Sequence, residues 1–451
     1  MNKKYPIVVS SDGSDSNAAT TELTASAQNG RAYGAIKVDA AGAATSTGTE
    51  TLADAKNLCT ANTQAGTSPT LLQRSYYDGW RTIINWSQDP GRRLSTFATV
   101  DTNDTGYDDS VAIGTDGFPV ISYRDNANGV LRVAHCNDAA CATSTKTTLD
   151  SSGNPGLYTS NTGLYTSIAI GTDGFPVISY NENRRGELWV AHCDNVACTT
   201  ATLTIVDATG YTGTYTSIAI GTDTFPVVSY LDATNADLRV AHCNDKACAT
   251  STKTTVDSAG NTGYFTSIAI GTDTFPVVSY WDPQNGDLRV AHCINVTCSG
   301  ATDLTIVDAA GTTGSDTSVA IGTDGFPVIS YQDRTSNVLR VAHCINVTCS
   351  GATDLTTVDA TGWTGLHTSV AIGTDTFPVV SYWNASSGDL RVAHCNNAAC
   401  TTATLTTVDA AGATGLFTSV AIGDDGFPVI SYHDDTTRSL RMVHCANVAC
   451  T

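Results

Sequence analysis

The stretch Thr96-Phe97-Ala98-Thr99-Val100-Asp101 stands ahead of the repeat to which it belongs. Downstream, a unit of about fifty residues recurs seven times, each copy marked by Phe-Pro at Phe118, Phe175, Phe225, Phe275, Phe326, Phe377 and Phe427. In its commonest form the unit reads Thr-Ser-Ile-Ala-Ile-Gly-Thr-Asp, then Phe-Pro-Val-Ile-Ser-Tyr, then Leu-Arg-Val-Ala-His-Cys, and closes on Val-Asp. The seventh copy reaches Cys450 without a closing Val-Asp segment, and Thr96–Asp101 is the segment it lacks. A linear solenoid has no use for that displacement, because its ends never meet. A ring does, since an N-terminal strand completes the final sheet and seals the circle. Seven four-stranded units closed in this way predict an all-β chain folded as a seven-bladed β-propeller.

Within a unit, the expected strands are Ser167 to Gly171, Phe175 to Tyr180, Leu188 to Cys193 and Leu203 to Asp207. Proline is tolerated at a strand's first positions and costly in its middle. The Phe markers are spaced 57, 50, 50, 51, 51 and 50 residues apart. The long first interval reflects a duplication, Gly156-Leu157-Tyr158-Thr159-Ser160 returning as Gly163-Leu164-Tyr165-Thr166-Ser167. It falls between blades, where insertion costs little. Residues 95–451 are therefore assigned to the ring. Residues 1–94 are not a copy of the repeat. Ala32 to Val38 and Thr82 to Trp86 read as strands, and Asp78-Gly79 as a two-residue hairpin turn. We read this part as a small N-terminal β-rich region that attaches the ring to a larger assembly.

Of fifteen cysteines, fourteen fall in seven pairs with the same spacing: Cys136 with Cys141, Cys193 with Cys198, Cys243 with Cys248, Cys293 with Cys298, Cys344 with Cys349, Cys395 with Cys400, and Cys445 with Cys450. Each is read as a disulfide across one hairpin, worth roughly 2 kcal/mol in the chain-entropy picture. Zinc is the rival reading, but structural zinc takes four ligands from two such pairs, and here the pairs sit on different blades. Seven disulfides imply an oxidising location: a secreted protein, a cell surface or a virion. Cys59 is left over. The start, Met1-Asn2-Lys3-Lys4-Tyr5-Pro6-Ile7-Val8-Val9, is not a secretory signal. A start of this kind together with extracellular cysteine usage favours a virion surface component, released by lysis.

The formal charge of −20 argues against a nucleic-acid partner, and no apolar run reaches membrane-spanning length. The seven repeated histidines, His135, His192, His242, His292, His343, His394 and His444, are read as structural, one per blade. Arginine occupies the same strand-three position in six copies, such as Arg132 and Arg239, with Trp189 in the other. The turn aspartates, such as Asp116 and Asp173, are read as making local turn hydrogen bonds. Calcium is their rival role, although no EF-hand-like ligand run occurs. No cofactor or metal is expected.

Successive connections in a four-stranded blade alternate between the faces of the ring. The cysteine-stapled turns and the Asp-Phe-Pro turns share one face; the two–three loops and the blade-to-blade loops share the other. The second face varies between copies. The residue after Ser-Tyr is Arg124, Asn181, Leu231, Trp281, Gln332, Trp383 or His433. Excepting Leu231, these are the candidate ligand-binding residues, since exposed aromatic, amide and charged groups suit a glycan or protein partner. The pairs before Thr-Ser also vary: Leu164-Tyr165, Thr214-Tyr215, Tyr264-Phe265, Ser315-Asp316, Leu366-His367 and Leu416-Phe417. For these we expect packing between blades.

No Gly-x-Ser-x-Gly or His-Glu-x-x-His motif is present. Glutamate is scarce, only Glu22, Glu50, Glu182 and Glu187. No isolated carboxylate pair stands out for glycoside chemistry, although Asp108, Asp109, Asp316, Asp434 and Asp435 lie on the diversified face and leave an Asp–Asp mechanism open. The repeat resembles bacterial and phage β-propellers built from nearly identical blades, over about four-fifths of the chain. That likeness implies a fold and no particular activity. The expectation is a non-catalytic, disulfide-stapled ring displayed outside the cell, decorating a virion or adhering to host glycans. The alternatives are a secreted lectin-like protein and a propeller glycoside hydrolase.

Overall fold

The computed structural model describes residues 95–151, 162–300, 302–351 and 353–451, together with the strand backbone of six short segments ahead of them. Those segments pair as Tyr5–Val8 with Thr20–Leu23, Ala35–Val38 with Ala44–Gly48, and Pro69–Gln73 with Thr82–Trp86. Contacts divide the chain at Arg93 and Leu94. Cys59, the Asp78-Gly79 turn and the first copy of the duplicated segment lie outside the described residues.

From Leu94 on, the chain forms seven four-stranded antiparallel sheets. Blade two is typical, with strands Leu164–Ile170, Pro176–Glu182, Glu187–Cys193 and Ala201–Asp207 in spatial order. Each second strand opens on its proline, where the missing N–H is tolerated. These strands are buried along nearly their whole length, as apolar runs covered on both faces should be. The seventh sheet is Thr414–Ile422, Pro428–Asp434 and Ser439–His444, completed by Thr96–Asp101. In that last pairing Leu440 faces Asp101 and His444 faces Thr96. The displaced segment is the strand that closes the ring.

Each core cluster is shared by two neighbouring blades. Val177, Leu188, Val190 and Val206 of blade two pack with Val228, Tyr230 and Ala241 of blade three. The expected staple forms in every blade. Cys136 is bonded to Cys141, Cys193 to Cys198, Cys243 to Cys248, Cys293 to Cys298, Cys344 to Cys349, Cys395 to Cys400 and Cys445 to Cys450, with Cα atoms 4.7–4.9 Å apart. All fourteen sulfur-bearing side chains are buried. The second cysteine of each pair closes a tight turn that the spacing alone did not define. Cys141, Cys198, Cys248, Cys298, Cys349, Cys400 and Cys450 all have left-handed φ, between 50° and 58°. Each donates its backbone N–H to the carbonyl three residues earlier at 3.0–3.2 Å, as Cys141 does to Asp138 and Cys400 to Asn397. The ring therefore belongs to an oxidising environment.

Polar bonds lock the blades in register. The closing Asp of each blade accepts a hydrogen bond from the Ser-Tyr tyrosine of the next: Tyr123 to Asp101, Tyr180 to Asp150, Tyr230 to Asp207, Tyr280 to Asp257, Tyr331 to Asp308, Tyr382 to Asp359 and Tyr432 to Asp409, at 2.6–2.9 Å. In six of these junctions the strand-three arginine of the next blade reaches the same carboxylate at 2.5–2.8 Å. Burial works against the Asp207 carboxylate, but bonds from Thr209, Tyr230 and Arg239 outweigh it and hold the group below its ordinary range. Near the axis, a serine of each first strand accepts a backbone N–H from the next blade, at 3.1–3.3 Å, so that seven such bonds run around the ring. The glycine that opens each first strand is also an inter-blade requirement. It has positive φ at Gly106, Gly163, Gly213, Gly263, Gly314, Gly365 and Gly415, and a Cβ there would lie 2.6–2.9 Å from a leucine Cα of the preceding blade.

Removing residues 1–101 should leave an unpaired sheet edge and strip Tyr123 and Arg132 of Asp101, giving aggregation or a large loss of thermal stability. Removing residues 1–90 should leave the melting temperature of the ring unchanged within a few degrees. Equal stability of the two deletions would refute closure by the displaced strand. Asp257→Ala leaves Tyr280 without its hydrogen-bond partner and Arg289 with Asp282 alone, at 3.5 Å, and should cost about 3–5 kcal/mol, read by denaturant titration.

Candidate active site

The first strands of neighbouring blades contact one another around the ring and form the wall of its axis. Each carries the same irregularity. In blade two, Leu164 faces Asn181 and Ser167 faces Ser179, so Tyr165 and Thr166 together oppose the single residue Tyr180. The other six blades repeat the pattern. A bulge of this kind bends a strand and re-aims its side chains. The first bulged residue is left-handed in every blade: Asp108, Tyr165, Tyr215, Phe265, Asp316, His367 and Phe417 have φ of 50–53°. A bulky side chain is an outlier in that region. The second bulged residue is buried threonine in six blades and Asp109 in blade one.

Both sets line one axial cavity of about 220 Å³. The left-handed residues form its rim and the buried ones its floor. On the rim, Tyr165 and Tyr215 have ring centres 4.7 Å apart, and Tyr215 and Phe265 4.6 Å. On the other side His367 and Phe417 lie 4.6 Å apart. Asp108 of blade one and Asp316 of blade five separate these aromatic arcs, on opposite walls of a seven-membered ring. The Asp316 carboxylate accepts the backbone N–H of His367 at 3.1 Å and has the His367 Nδ1 at 3.7 Å. Burial lowers the His367 pKa, against the pull of Asp316. Burial pushes the Asp108 carboxyl up to about 6, with the charge of Arg124 and a backbone bond from Tyr165 opposing it. Asp109 is pushed well above the carboxylate range, first by burial and further by the charge of Asp108, with Ser431 acting in the opposite sense.

The six candidates from the position after Ser-Tyr lie on second strands, directly behind this rim. Asn181 and His433 are fully buried, Gln332 nearly so, and Trp281 is 9% exposed. Asn181 donates to the Thr212 carbonyl at 2.7 Å, His433 Nδ1 pairs with the Thr105 carbonyl at 2.8 Å, and Gln332 Oε1 accepts from Ser315 at 3.1 Å. Trp281 stands 6.0 Å from Phe265, with Arg334 over its ring, and Trp383 lies 6.1 Å from His367. Arg124 faces Asp108. The structure thus places them as supports of the rim, in strands where we expected loops. It puts the second member of each pair before Thr-Ser into the cavity wall, where we expected packing between blades alone. Blade one reads Tyr107-Asp108-Asp109-Ser110 in place of x-x-Thr-Ser, and that departure was the signal in the sequence for Asp108 and Asp109.

On the stapled face each repeated histidine pairs through Nε2 with the turn aspartate of its own blade, from His135 with Asp116 to His444 with Asp425, at 2.6–3.2 Å. The same aspartates accept the backbone N–H of the following phenylalanine, as Asp116 does from Phe118. Among the described residues, no group of three or more His, Cys, Asp or Glu side chains is placed to share a metal ion.

No family model matches the chain, and no curated protein matches it in sequence. Solved structures match it in fold. A protein of unknown function from Dyadobacter fermentans is 11% identical, with 78% of this chain and 98% of that one covered and a TM-score of 0.50. A polysaccharide lyase of family PL25, an ulvan lyase with bound saccharide, is 11% identical, with 76% and 95% covered and a TM-score of 0.51. The NanB sialidase from Streptococcus pneumoniae is 9% identical, with 82% and 75% covered and a TM-score of 0.43. The expectation of a non-catalytic ring is corrected here. It rested on the near-identity of the blades and the lack of a signature motif. A ring of this fold is a polysaccharide lyase, and this one breaks its own repeat at the axis with carboxyl and imidazole groups.

A carboxyl with a raised folded pKa favours the folded state below its ordinary pKa and loses that contribution as pH rises through the folded value. Asp108→Asn should therefore stabilise the ring at pH 7, by on the order of 1–2 kcal/mol. The gain should vanish below about pH 4. Thermal melts of both proteins across that range read the effect.

Proposed function

We propose that this protein is a carbohydrate-active propeller enzyme that cleaves a glycan in the axial basin of its diversified face, outside the reducing cytosol. One observation carries the proposal. Seven superposable backbone sites, each forced into the same left-handed bulge, present Asp, Tyr, Tyr, Phe, Asp, His and Phe to one cavity. Left-handed non-glycine residues are costly, and such residues gather at working sites. The residue types suit sugars. Aromatic faces stack on the apolar faces of a saccharide, and carboxyl groups move protons to and from glycosidic oxygens. That a ring of the same fold is a polysaccharide lyase supports the proposal at the level of class. The seven disulfides agree with action outside the cytosol.

Tyr215→Asn and Phe265→Asn test the basin, because Asn is comfortable in the left-handed region and keeps the bulge. Each should weaken glycan binding by about 10- to 30-fold with the melting temperature within a few degrees. Asn295→Ala, on the stapled face, should change neither. Calorimetric titration with a panel of polysaccharides measures this. Binding that survives both basin variants, or is lost from Asn295→Ala alone, would move the site off the axis.

A further inference from the structure

The floor of the cavity repeats one hydrogen bond in six blades. Thr166, Thr216, Thr317, Thr368 and Thr418 donate their hydroxyls to Ser122, Ser179, Ser279, Ser330 and Ser381 of the preceding blade at 2.7–3.0 Å, and Thr266 to Ser229 does the same. Blade one differs. Asp109 stands where the threonine belongs and faces Ser431 of blade seven. It is 7% exposed, and its carboxyl oxygens and the Ser431 hydroxyl beside them form no hydrogen bond of good geometry, in contrast to the Thr–Ser bonds of the other six blades. A buried polar group without a partner costs about 1–3 kcal/mol, and more if charged. The threonine used by the other six blades would remove that cost. A carboxyl kept there at a loss, against the cavity, points to a ligand or reaction that needs it.

We propose that Asp109 is the proton donor of a glycoside-hydrolysing centre for neutral glycans, with Asp316 on the opposite wall as the second carboxylate. This rests on the glycan-cleaving function proposed above. Burial and the neighbouring Asp108 both oppose ionisation of Asp109 and favour its protonated form, against Ser431. That proton passes to the glycosidic oxygen as the bond from the anomeric carbon breaks, and the leaving sugar departs as an alcohol. Water, the co-reactant, adds to the anomeric carbon from the other side and gives a proton to Asp316. Proton exchange with solvent returns both carboxyls to their starting states, so the net change is one glycosidic bond and one water converted to two hydroxyl groups. The two carboxyls need the separation that opposite walls provide, with substrate and water between them. The substrate class follows from charge. Among the described residues, the cavity lining includes Asp108, Asp109 and Asp316 and no lysine or arginine. A uronate or sulfated sugar would meet three carboxyls with no cation on the wall to answer it.

The variant Asp109→Thr restores the bond that six blades already make, so it should fold at least as well as the natural protein. It is assayed beside Asp316→Asn on neutral polysaccharides (arabinan, xylan, β-glucan), on uronate polymers, and on dinitrophenyl glycosides, whose leaving group needs no proton. Asp109→Thr should lose about 10²- to 10⁴-fold on the neutral polymer and keep nearly full rate on the activated glycoside. Asp316→Asn should lose both. Full activity of Asp109→Thr on the polymer would overturn the assignment while leaving the glycan-cleaving function standing. Equal loss on both substrates with a lowered melting temperature would reduce Asp109 to a structural residue. Cleavage confined to uronate polymers with unsaturated ends would overturn the hydrolytic chemistry and the neutral substrate. Failure to bind or cleave any glycan would remove the parent function as well.

Discussion

The ring depends on one buried carboxylate per junction. The closing Asp of each blade lies at the outer edge of its sheet, yet its partners belong to the next blade: a tyrosine hydroxyl and, in six junctions, an arginine. Hydrophobic contact alone would hold the blades together without fixing their angle, because it is non-directional. The tyrosine–aspartate bond is directional and buried, and misplacement leaves an unpaired charge in the core. It is repeated at each of seven junctions. It also ties the closing segment to the first blade. Without Asp101, Tyr123 of blade one would lose its hydrogen-bond partner and Arg132 its nearest carboxylate.

That rigid frame makes the bulge useful. Seven first strands, tied by serine to backbone bonds, deliver seven left-handed residues to one axis at equivalent positions. The geometry is common to all blades while the side chains are not. Division of labour follows from this. Second-strand residues such as Asn181, Gln332 and His433 hold the wall from behind, and the bulged residues supply aromatic faces and acid–base groups. The stapled face, with its histidine–aspartate pairs and disulfides, keeps the turns in place at the other end of the ring.

Much of this was legible in the residues. The repeat, the displaced strand and the paired cysteines are local or one-dimensional signals: periodicity 2 within strands, a period near fifty along the chain, and a fixed cysteine spacing. The division into a stapled and a diversified face followed from the alternation of loops. The choice among variable positions did not. Alternation along a strand puts residues i and i+1 on opposite faces, so Tyr165 and Thr166 could not both be read as axial. By sequence the residue after Ser-Tyr, such as Trp281, reads as the start of a loop, whereas the second strand runs on to Asp282.

By itself, then, the sequence determined the class, the blade count, the closure and the staples, because each is written in the order and spacing of residues. The tertiary structure alone decided which side chains meet at the axis. A bulge turns two consecutive side chains to the axis, and seven separated copies converge there only when the ring has closed. The state of Asp109 is decided the same way. In the sequence it is one aspartate where six blades have threonine; only the fold brings Ser431, from the far end of the chain, against it and takes water away.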